Sequence, residues 1–317
     1  MAYFEIARDV FAQESAELVK VAARLDEHFD QLVDLINQTS GRVIFIGIGK
    51  SQIIAEKISA SFSSISVSSF TVDAGTAYHG DLGRVSQDDL VIFVSNSGET
   101  QEVVQTLFAL QTIFPKGLNT VSLTGNTRST LAVNTNLTFD VGVTKEVDVT
   151  GLAPTASTTA TLVFGDALLL ALEKSRSFNR NQFALYHPGG SIGRLLLQRV
   201  KHVMHSKIPY VNEDTPINDV IYQISDYGIG MTLVKDKKTG KAIGIVTDGD
   251  IRKKFLLVQS VKKSVAADYM TKGFISINQE KRNKAAWQLM ASHDISNLVV
   301  LDNDENVVGI ATIHDVL

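Results

Sequence analysis

Apolar and polar positions recur along the first two thirds of the chain with alternating helical and strand-like periods. Between residues 4 and 37, apolar side chains return every three or four positions, which predicts helical structure that ends before Gly41. The continuously apolar run Val43-Ile44-Phe45-Ile46 then predicts a buried parallel strand. A helical pattern resumes between residues 53 and 62.

The same unit of strand and helix repeats along the chain up to about residue 174. Four further strands are predicted, at residues 70–72, 90–94, 120–123 and 137–141, and residues 154–174 form a long helix of small residues and leucine. Strands that alternate with helices at this spacing predict an α/β fold whose parallel sheet is covered by helices on both faces.

The last third of the chain contains an internal repeat at an offset of about 65 residues. The segment 244–250 (GIVTDGD) matches the segment 309–315 (GIATIHD). Each copy has a predicted helix, a strand, a turn and a second strand, and neither copy alone buries much core. We therefore expect a first domain at 1–200 and a paired second domain at 201–317, with copies at 201–262 and 263–317.

Composition and charge narrow the classes of protein. A chain of 317 residues exceeds one ordinary core, which agrees with two domains. The net charge of −4 and the lack of a basic excess in either part argue against nucleic-acid binding. The absence of cysteine excludes disulfides and thiolate chemistry. Glu5 and Asp9 do not fit a signal peptide, so we expect a cytoplasmic protein without membrane contact.

The loop Ser95-Asn96-Ser97-Gly98-Glu99-Thr100 follows the strongest predicted strand and precedes a helix. Ligands of parallel α/β proteins bind at the carboxyl ends of the strands, which is where this loop lies. Three hydroxyls (Ser95, Ser97 and Thr100) and the free amides of a helix N-terminus suit a phosphate group. One hydroxyl alone would indicate only a helix N-cap, whereas three at this spacing favour phosphate binding.

A second turn between strand and helix, Gly47-Ile48-Gly49-Lys50-Ser51, contains a lysine. The spacing is too short for a Walker loop. Gln52 stands where a dinucleotide-binding fingerprint requires its third glycine. Lys50 is either a solvated lysine or a charge that steadies the bound phosphate.

Three more side chains are candidates for acid–base chemistry. His79 and His187 lie in glycine-rich loops, where a histidine is often only a surface residue. Glu146 follows a strand end, and its alternative is a solvated charge paired with Lys145. No pair of histidine and carboxylate has the spacing of a zinc site, so we expect no metal. In the small-residue run 151–160, close packing explains the composition more simply than ligand contacts do.

These motifs together resemble a known family. Residues 41–199 resemble a sugar isomerase (SIS) domain, the two repeats resemble a pair of CBS domains, and the combination resembles bacterial arabinose-5-phosphate isomerases. The strings that carry the resemblance are Gly-Lys-Ser at 49–51, His-Gly-Asp-Leu-Gly at 79–83, Ser-Asn-Ser-Gly-Glu at 95–99, Gly-Leu-Ala-Pro-Thr at 151–155, Ser-Thr-Thr-Ala at 157–160 and His-Pro-Gly-Gly at 187–190.

The resemblance implies interconversion of D-arabinose 5-phosphate and D-ribulose 5-phosphate through an enediol, a step toward the Kdo sugar of lipopolysaccharide. It places phosphate binding on Ser51, Ser95, Ser97 and Thr100. It places catalytic or substrate contacts on Lys50, His79, Glu102, Glu146 and His187. Our hypothesis is that Glu146 moves the proton between C1 and C2, His187 opens the sugar ring or moves hydroxyl protons, and His79 and Lys50 stabilise the enediolate oxygen and the phosphate.

The resemblance also implies a homotetramer, with His79 or His187 contributed across a subunit boundary. No cofactor is required, but Thr247, Asp250, Thr312 and Asp315 match the positions at which CBS pairs hold a nucleotide, so a regulatory nucleotide or nucleotide-sugar is expected. A purely structural pair is the alternative. For the whole chain, the alternatives are a sugar-phosphate sensor without catalysis and an isomerase of another sugar phosphate. The chain departs from relatives at Gln52 and at Asp148-Val149-Thr150, which lies close to Glu146.

Overall fold

The computed structural model describes residues 2–255 and 264–317 and divides into two compact units, Met1–Tyr186 and His187–Leu317. The helical segment predicted at 4–37 is two helices, α1 (Tyr3–Ala22) and α2 (His28–Gln38). The break was not predicted. It arises where the Asp26 carboxylate accepts a hydrogen bond from the backbone N–H of His28, which satisfies a free amide at the start of the second helix.

A five-stranded parallel sheet forms the centre of the first unit, with the strand order β2-β1-β3-β4-β5. Its strands are β1 (Val43–Gly47), β2 (Ser69–Asp73), β3 (Leu90–Val94), β4 (Asn119–Thr124) and β5 (Leu137–Asp140). Its remaining helices are α3 (Lys50–Ser64), α4 (Gln101–Ile113), α5 (Thr130–Asn134), α6 (Ala156–Ser175) and α7 (Arg180–Tyr186). The predicted order of strands and helices is confirmed.

Helices cover both faces of the sheet, as predicted. On one face, Phe45 and Ile92 of the strands pack with α2, α3 and α6. On the other face, Ile44 and Phe93 pack with α4 and α5. Because β1 and β3 are buried on both faces, their continuous apolar runs are explained by the sheet rather than by a helix.

Helix α6 is long and apolar enough, by length and composition alone, to cross a membrane. Phe164, Leu168 and Leu172 of this helix are nevertheless buried in the core of the first unit. Pro154 does not open the helix as predicted, because Thr155 is the N-cap and the first helical residue is Ala156.

The second unit contains two similar halves. The first half has strands β6 (Tyr210–Asn212), β7 (Met231–Lys235), β8 (Ala242–Thr247) and β9 (Thr271–Lys272), and helices α9 (Ile217–Tyr227), α10 (Asp248–Phe255) and α11 (Ala266–Tyr269). The second half has strands β10 (Ser276–Asn278), β11 (Asn297–Leu301) and β12 (Val307–Thr312), and helices α12 (Asn283–His293) and α13 (Ile313–Val316). Met231 and Leu233 of one half share a buried cluster with Val299 and Ile310 of the other, so the two repeats pack together.

The start of the second unit, ahead of both halves, contains helix α8 (Ser191–Leu197). The buried Asn283 binds it from the second repeat: its backbone N–H donates to the Gln198 carbonyl at 2.9 Å, and its side-chain amide donates to the Arg194 carbonyl at 3.3 Å. The domain boundary at residue 200 stays a prediction. The boundary expected between the two copies, at residues 262 and 263, lies outside the described residues.

Candidate active site

A cavity of about 200 Å³ lies at the carboxyl ends of β1 and β3. These two strands are neighbours, but the chain leaves β1 toward β2 on one side and leaves β3 toward β4 on the other. Such a reversal of strand order opens the crevice in which α/β proteins bind ligands. The start of α3, which follows β1, contributes Lys50 and Ser51 to the wall. The turn after β3 contributes Asn96, and α6 contributes Ser157 and Thr158.

The loop 95–100 is held by hydrogen bonds among its own residues. The hydroxyl oxygens of Ser95 and Thr100 lie 3.0 Å apart, and the Gly98 N–H donates to the Ser95 hydroxyl at 3.2 Å. The Glu99 N–H donates to the Ser97 hydroxyl at 3.2 Å. Ser95 is buried, whereas the Ser97 side chain is exposed at the N-terminus of α4, where an anion is stabilised by free amides.

Gly98 is required by both the backbone and the space in this loop. Its φ of +65° lies in the left-handed region, and a Cβ at this position would lie 2.0 Å from the Ser129 hydroxyl oxygen. The Gly98 carbonyl accepts from the Leu131 N–H at 3.1 Å, and the Asn96 carbonyl accepts from the Gly125 N–H at 2.8 Å. The loop is therefore also fixed to the ends of β4 and α5.

Polar side chains of α6 on the cavity wall were not predicted. The cavity is lined by three hydroxyl-bearing residues of α6, which are Ser157, Thr158 and Thr161. Pro154, just before this helix, also lines it. The interpretation of this run as packing alone is incomplete, since Ala160 is buried in packing whereas Ser157 and Thr158 line the cavity. The spacing of three, four and seven residues, which places these positions on one helix face, is the signal that could have identified them.

Glu146 lies beside this wall and is bound to the N-terminus of α6. Its Oε2 accepts hydrogen bonds from the Thr155 N–H at 2.9 Å, the Thr155 hydroxyl at 3.0 Å and the Ser157 N–H at 3.2 Å. The expected alternative, a solvated pair with Lys145, is wrong. The Glu146 carboxylate binds the N-terminus of α6 instead, where free amides stabilise a negative charge. Glu146 therefore does not line the cavity itself, but it binds Ser157, which does.

The protonation state of Glu146 follows from this position. Burial raises its pKa, but hydrogen bonds from Ser157 and Thr155 outweigh burial and hold the pKa below its ordinary value. The carboxylate is therefore ionised at neutral pH and able to accept a proton. A pKa near neutrality, which the chemistry suggests for a general base, is not what this environment produces.

His79 and Glu102 do not line the cavity, and both side chains are exposed. The loop that carries His79 nevertheless lies against α4, since the neighbouring Tyr78 bonds to Thr106 and its pKa is raised by burial and by the charge of Glu102. His187 is half-buried and begins the second unit. The first unit thus brings Lys50 and Ser51 together with Asn96 of the loop, and leaves His79 and Glu102 outside the cavity. The three hydroxyls expected to bind phosphate, those of Ser95, Ser97 and Thr100, are not among the residues that line it.

The second unit contains its own cavity, of about 1040 Å³. All four residues expected at a nucleotide site, Thr247, Asp250, Thr312 and Asp315, line it. Thr247 donates to Asp250 from its N–H at 3.0 Å and its hydroxyl at 2.7 Å, and Thr312 bonds to Asp315 at 2.8 and 2.7 Å in the same way. Each pair also caps a helix, so the structural alternative contributes to these contacts.

The two halves of this second cavity differ in one contact. Asp250 accepts a hydrogen bond from the Thr271 hydroxyl at 3.2 Å, whereas Asp315 lies 3.1 Å from the His205 ring nitrogen Nε2. Among residues 2–255 and 264–317, no group of three or more histidine, aspartate or glutamate side chains is arranged to hold a metal ion. The expectation of no metal stays a prediction.

Comparisons with known proteins agree with this architecture. Residues 35–171 match the SIS domain, and residues 200–257 and 265–317 each match the CBS domain. The chain is 38% identical to arabinose 5-phosphate isomerase KdsD of Francisella tularensis subsp. tularensis, over 98% of this chain and 95% of the relative. It is also 38% identical to arabinose 5-phosphate isomerase KdsD of Salmonella typhi, over 99% of this chain and 94% of the relative.

A solved structure of an E. coli CFT073 protein in complex with arabinose 5-phosphate is also similar. It is 40% identical, with a TM-score of 0.56, over 59% of this chain and 97% of that chain. Identity of this level over nearly the whole length of both relatives shows the family. The chain belongs to the arabinose 5-phosphate isomerase family, with one SIS domain followed by two CBS domains.

Proposed function

We propose that this protein interconverts D-arabinose 5-phosphate and D-ribulose 5-phosphate through an enediol. The observation that carries the proposal is the cavity at the carboxyl ends of β1 and β3. Asn96 of the loop 95–100 lines it together with Lys50 and Ser51. The ionised carboxylate of Glu146 accepts a hydrogen bond from Ser157, which also lines the cavity. A phosphate anchor beside a base is what proton transfer on a sugar phosphate needs. The names of the relatives and the sugar-phosphate complex of the E. coli protein support the choice of substrate.

In this proposal, Ser95, Ser97, Thr100 and the free amides of α4 bind the substrate phosphate, with Ser51 beside them. Lys50, which lines the cavity, supplies a positive charge. The phosphate is thereby held by donors and charge rather than by a metal ion.

Glu146 removes the proton from C2 of the open-chain aldose and returns it to C1, while a proton moves between the two oxygens. The lowered pKa leaves Glu146 in its basic form at neutral pH, but it also makes the carboxylate a weaker base. Stabilisation of the enediolate oxygen must compensate for this weakness. We assign that stabilisation to Lys50 and His79, and ring opening to His187, with Glu102 as a further substrate contact.

The experiment is a coupled assay of the purified protein with arabinose 5-phosphate, ribose 5-phosphate, glucose 6-phosphate and glucosamine 6-phosphate. The proposal expects ribulose 5-phosphate from arabinose 5-phosphate and the highest kcat/KM for that sugar. Faster turnover of another aldose phosphate would assign a different substrate to the same chemistry. Tight binding without turnover of any sugar would instead support a sensor.

We also propose that the cavity of the second unit binds a regulatory nucleotide or nucleotide-sugar. Besides the four predicted residues, Arg252, Lys253 and Lys272 line it and supply positive charge for phosphate groups. A ligand at 100 times its Kd would stabilise this unit by about 2.7 kcal/mol, so adenine and cytidine nucleotides are tested for a shift in Tm of the full chain. If neither class of nucleotide shifts the Tm of the wild type or of Asp250→Asn, the result would argue for a purely structural CBS pair.

We further propose a homotetramer that works in the cytoplasm on the route to Kdo and lipopolysaccharide. Helix α1 supports self-association, because Tyr3, Phe4 and Phe11 are 89%, 62% and 78% exposed, an apolar surface that a partner would cover. Sedimentation of the purified protein tests the assembly, and a monomer at micromolar concentration would reject it.

A further inference from the structure

Helix α1 buries a carboxylate that the proposed chemistry does not use. Glu17 is 3% exposed, although most of the polar side chains around it on α1 face solvent. A buried charge is unfavourable unless it is paired and fully hydrogen-bonded. Its partners therefore indicate what holds it in place.

The partners of Glu17 lie mainly in a segment more than a hundred residues later in the chain. Its Oε2 accepts from the Thr144 N–H at 2.7 Å, and its Oε1 accepts from the Thr144 hydroxyl and from the Lys20 ammonium group, the latter at 2.7 Å. The Lys20 ammonium group also lies 3.0 Å from the Thr144 hydroxyl. The backbone N–H and the side-chain hydroxyl of Thr144 therefore both bind the Glu17 carboxylate.

The segment 141–147, which follows β5, has no helix or strand of its own. Its start is held by Arg24, two residues beyond the end of α1, which pairs with Asp140 at 3.0 Å and donates to the Gly142 carbonyl. Thr144, in the middle of the segment, binds Glu17. Glu146, near its end, binds the N-terminus of α6. Helix α1 and Arg24 therefore supply restraints that regular secondary structure does not.

We propose that Glu17 is a positioning residue, which fixes Thr144 and thereby sets the place of Glu146 beside the cavity. The proposal rests on the proposed role of Glu146 as the base. Helix α1 would thus contribute to catalysis through Glu17, although no residue of α1 lines the cavity of the first unit. Proton transfer is sensitive to such placement, since a shift of about 1 Å can cost about a hundredfold in rate.

A purely structural role for Glu17, as an attachment of α1 to the unit, is the competing explanation. Glu14 provides the matched control, because it lies one turn earlier on the same helix and accepts a hydrogen bond from the Thr159 hydroxyl of α6 at 2.9 Å. Glu14 thus attaches α1 without touching the segment 141–147. If attachment alone matters, loss of either carboxylate should affect activity alike.

The test compares Glu17→Gln with Glu14→Gln in the full-length protein. For Glu17→Gln we expect kcat to fall by about tenfold or more with KM changed less than about twofold, because the phosphate loop is untouched. We expect Glu14→Gln to keep both constants within about twofold. Equal kcat values for the two variants would overturn the proposal.

A second variant covers the case in which Glu17→Gln does not fold. Thr144→Val keeps the backbone N–H and the shape of the side chain but removes the hydroxyl that binds Glu17, and α1 is unaltered. We expect a smaller fall in kcat, of about threefold or more, again without a change in KM. A kcat equal to that of the wild type would count against the proposal.

Amide hydrogen exchange of the segment 141–147 separates this inference from the proposed function. We expect faster exchange in Glu17→Gln and wild-type exchange in Glu14→Gln. Unchanged exchange in Glu17→Gln overturns the anchoring whatever the activity. If the wild type isomerises no aldose phosphate, the proposed function is rejected, and so is the role of Glu17 in catalysis. The exchange rates would still decide whether Glu17 holds the segment 141–147 in place.

Discussion

The loop 95–100 and the segment that carries Glu146 are held in different ways. Within the loop, hydrogen bonds join residues at most five positions apart, such as Ser95 with Thr100, and further bonds tie it to Gly125 and Leu131. The segment that carries Glu146 depends on α1 more than a hundred positions earlier and on the start of α6 after it. The hydroxyls proposed to bind phosphate are therefore placed largely by their own short sequence, whereas the proposed base is placed by contacts between distant parts of the fold.

The largest expected effect is on the local region. Gly98→Ala should lower the free energy of unfolding by about 2–4 kcal/mol, because it adds a clash with Ser129 to a positive φ. The displaced loop should also raise KM by about tenfold or more. Gly117→Ala is the control, because Gly117 has a φ of +94° but open space around its Cβ. Equal losses in unfolding experiments on both variants would mean that the loop tolerates the added methyl group.

The second prediction concerns the distant anchor and depends on pH. Burial raises the pKa of Glu17, but bonds from Lys20 and Thr144 bring it to about 2, below the ordinary 4.5. The unfolded chain therefore binds a proton first as the pH falls. The stabilisation by Glu17 is fully present above about pH 4.5 and is lost as the pH falls toward 2.

Glu17→Gln measures this contribution directly. Its unfolding free energy should lie about 1–3 kcal/mol below that of the wild type at pH 6, and the gap should narrow toward about pH 2.5. Denaturant unfolding at several pH values gives the gap. A difference that stays constant over this whole range would show that the charge of Glu17 is not what stabilises the fold.

The smallest expected effect comes from removing one hydroxyl of the loop. Ser97→Ala should raise KM by about five- to tenfold with kcat unchanged, because it removes one hydrogen bond worth about 1 kcal/mol. Glu99→Gln is the control on the same loop, because the Glu99 carboxylate accepts from the Thr130 N–H at 2.8 Å instead. Steady-state kinetics with arabinose 5-phosphate would contradict this assignment if kcat fell while KM stayed constant.

The same contrast explains what could be predicted from the sequence. The apolar run 43–46 predicted the core of β1, and the repeat at 244–250 and 309–315 predicted two similar halves of the second unit. The place of the loop 95–100 between β3 and α4 was likewise predicted, while its role in phosphate binding stays a prediction. In each case, neighbours in sequence supply the period or the contacts that make the structure.

The parts that were missed depend on contacts between distant residues. Nothing in the string around Glu146 indicates that its partners are amides at the start of α6, so a pair with Lys145 was considered instead. Glu17 had one usable signal: it lies seven residues after Val10 and four before Val21, on the apolar stripe of α1. A lone charge on such a stripe indicates a buried partner, but only the fold identifies Thr144.

The most direct test of the account is isomerisation of arabinose 5-phosphate in deuterated water by the wild type and Glu146→Gln. The amide keeps an oxygen for the donors of α6 but cannot accept the substrate proton. Ribulose 5-phosphate formed by the wild type should carry deuterium. In the variant, the rates of product formation and of deuterium incorporation should fall by about 10²–10⁴-fold. Deuterium incorporation at the wild-type rate in Glu146→Gln would remove Glu146 from the role of base and contradict the account.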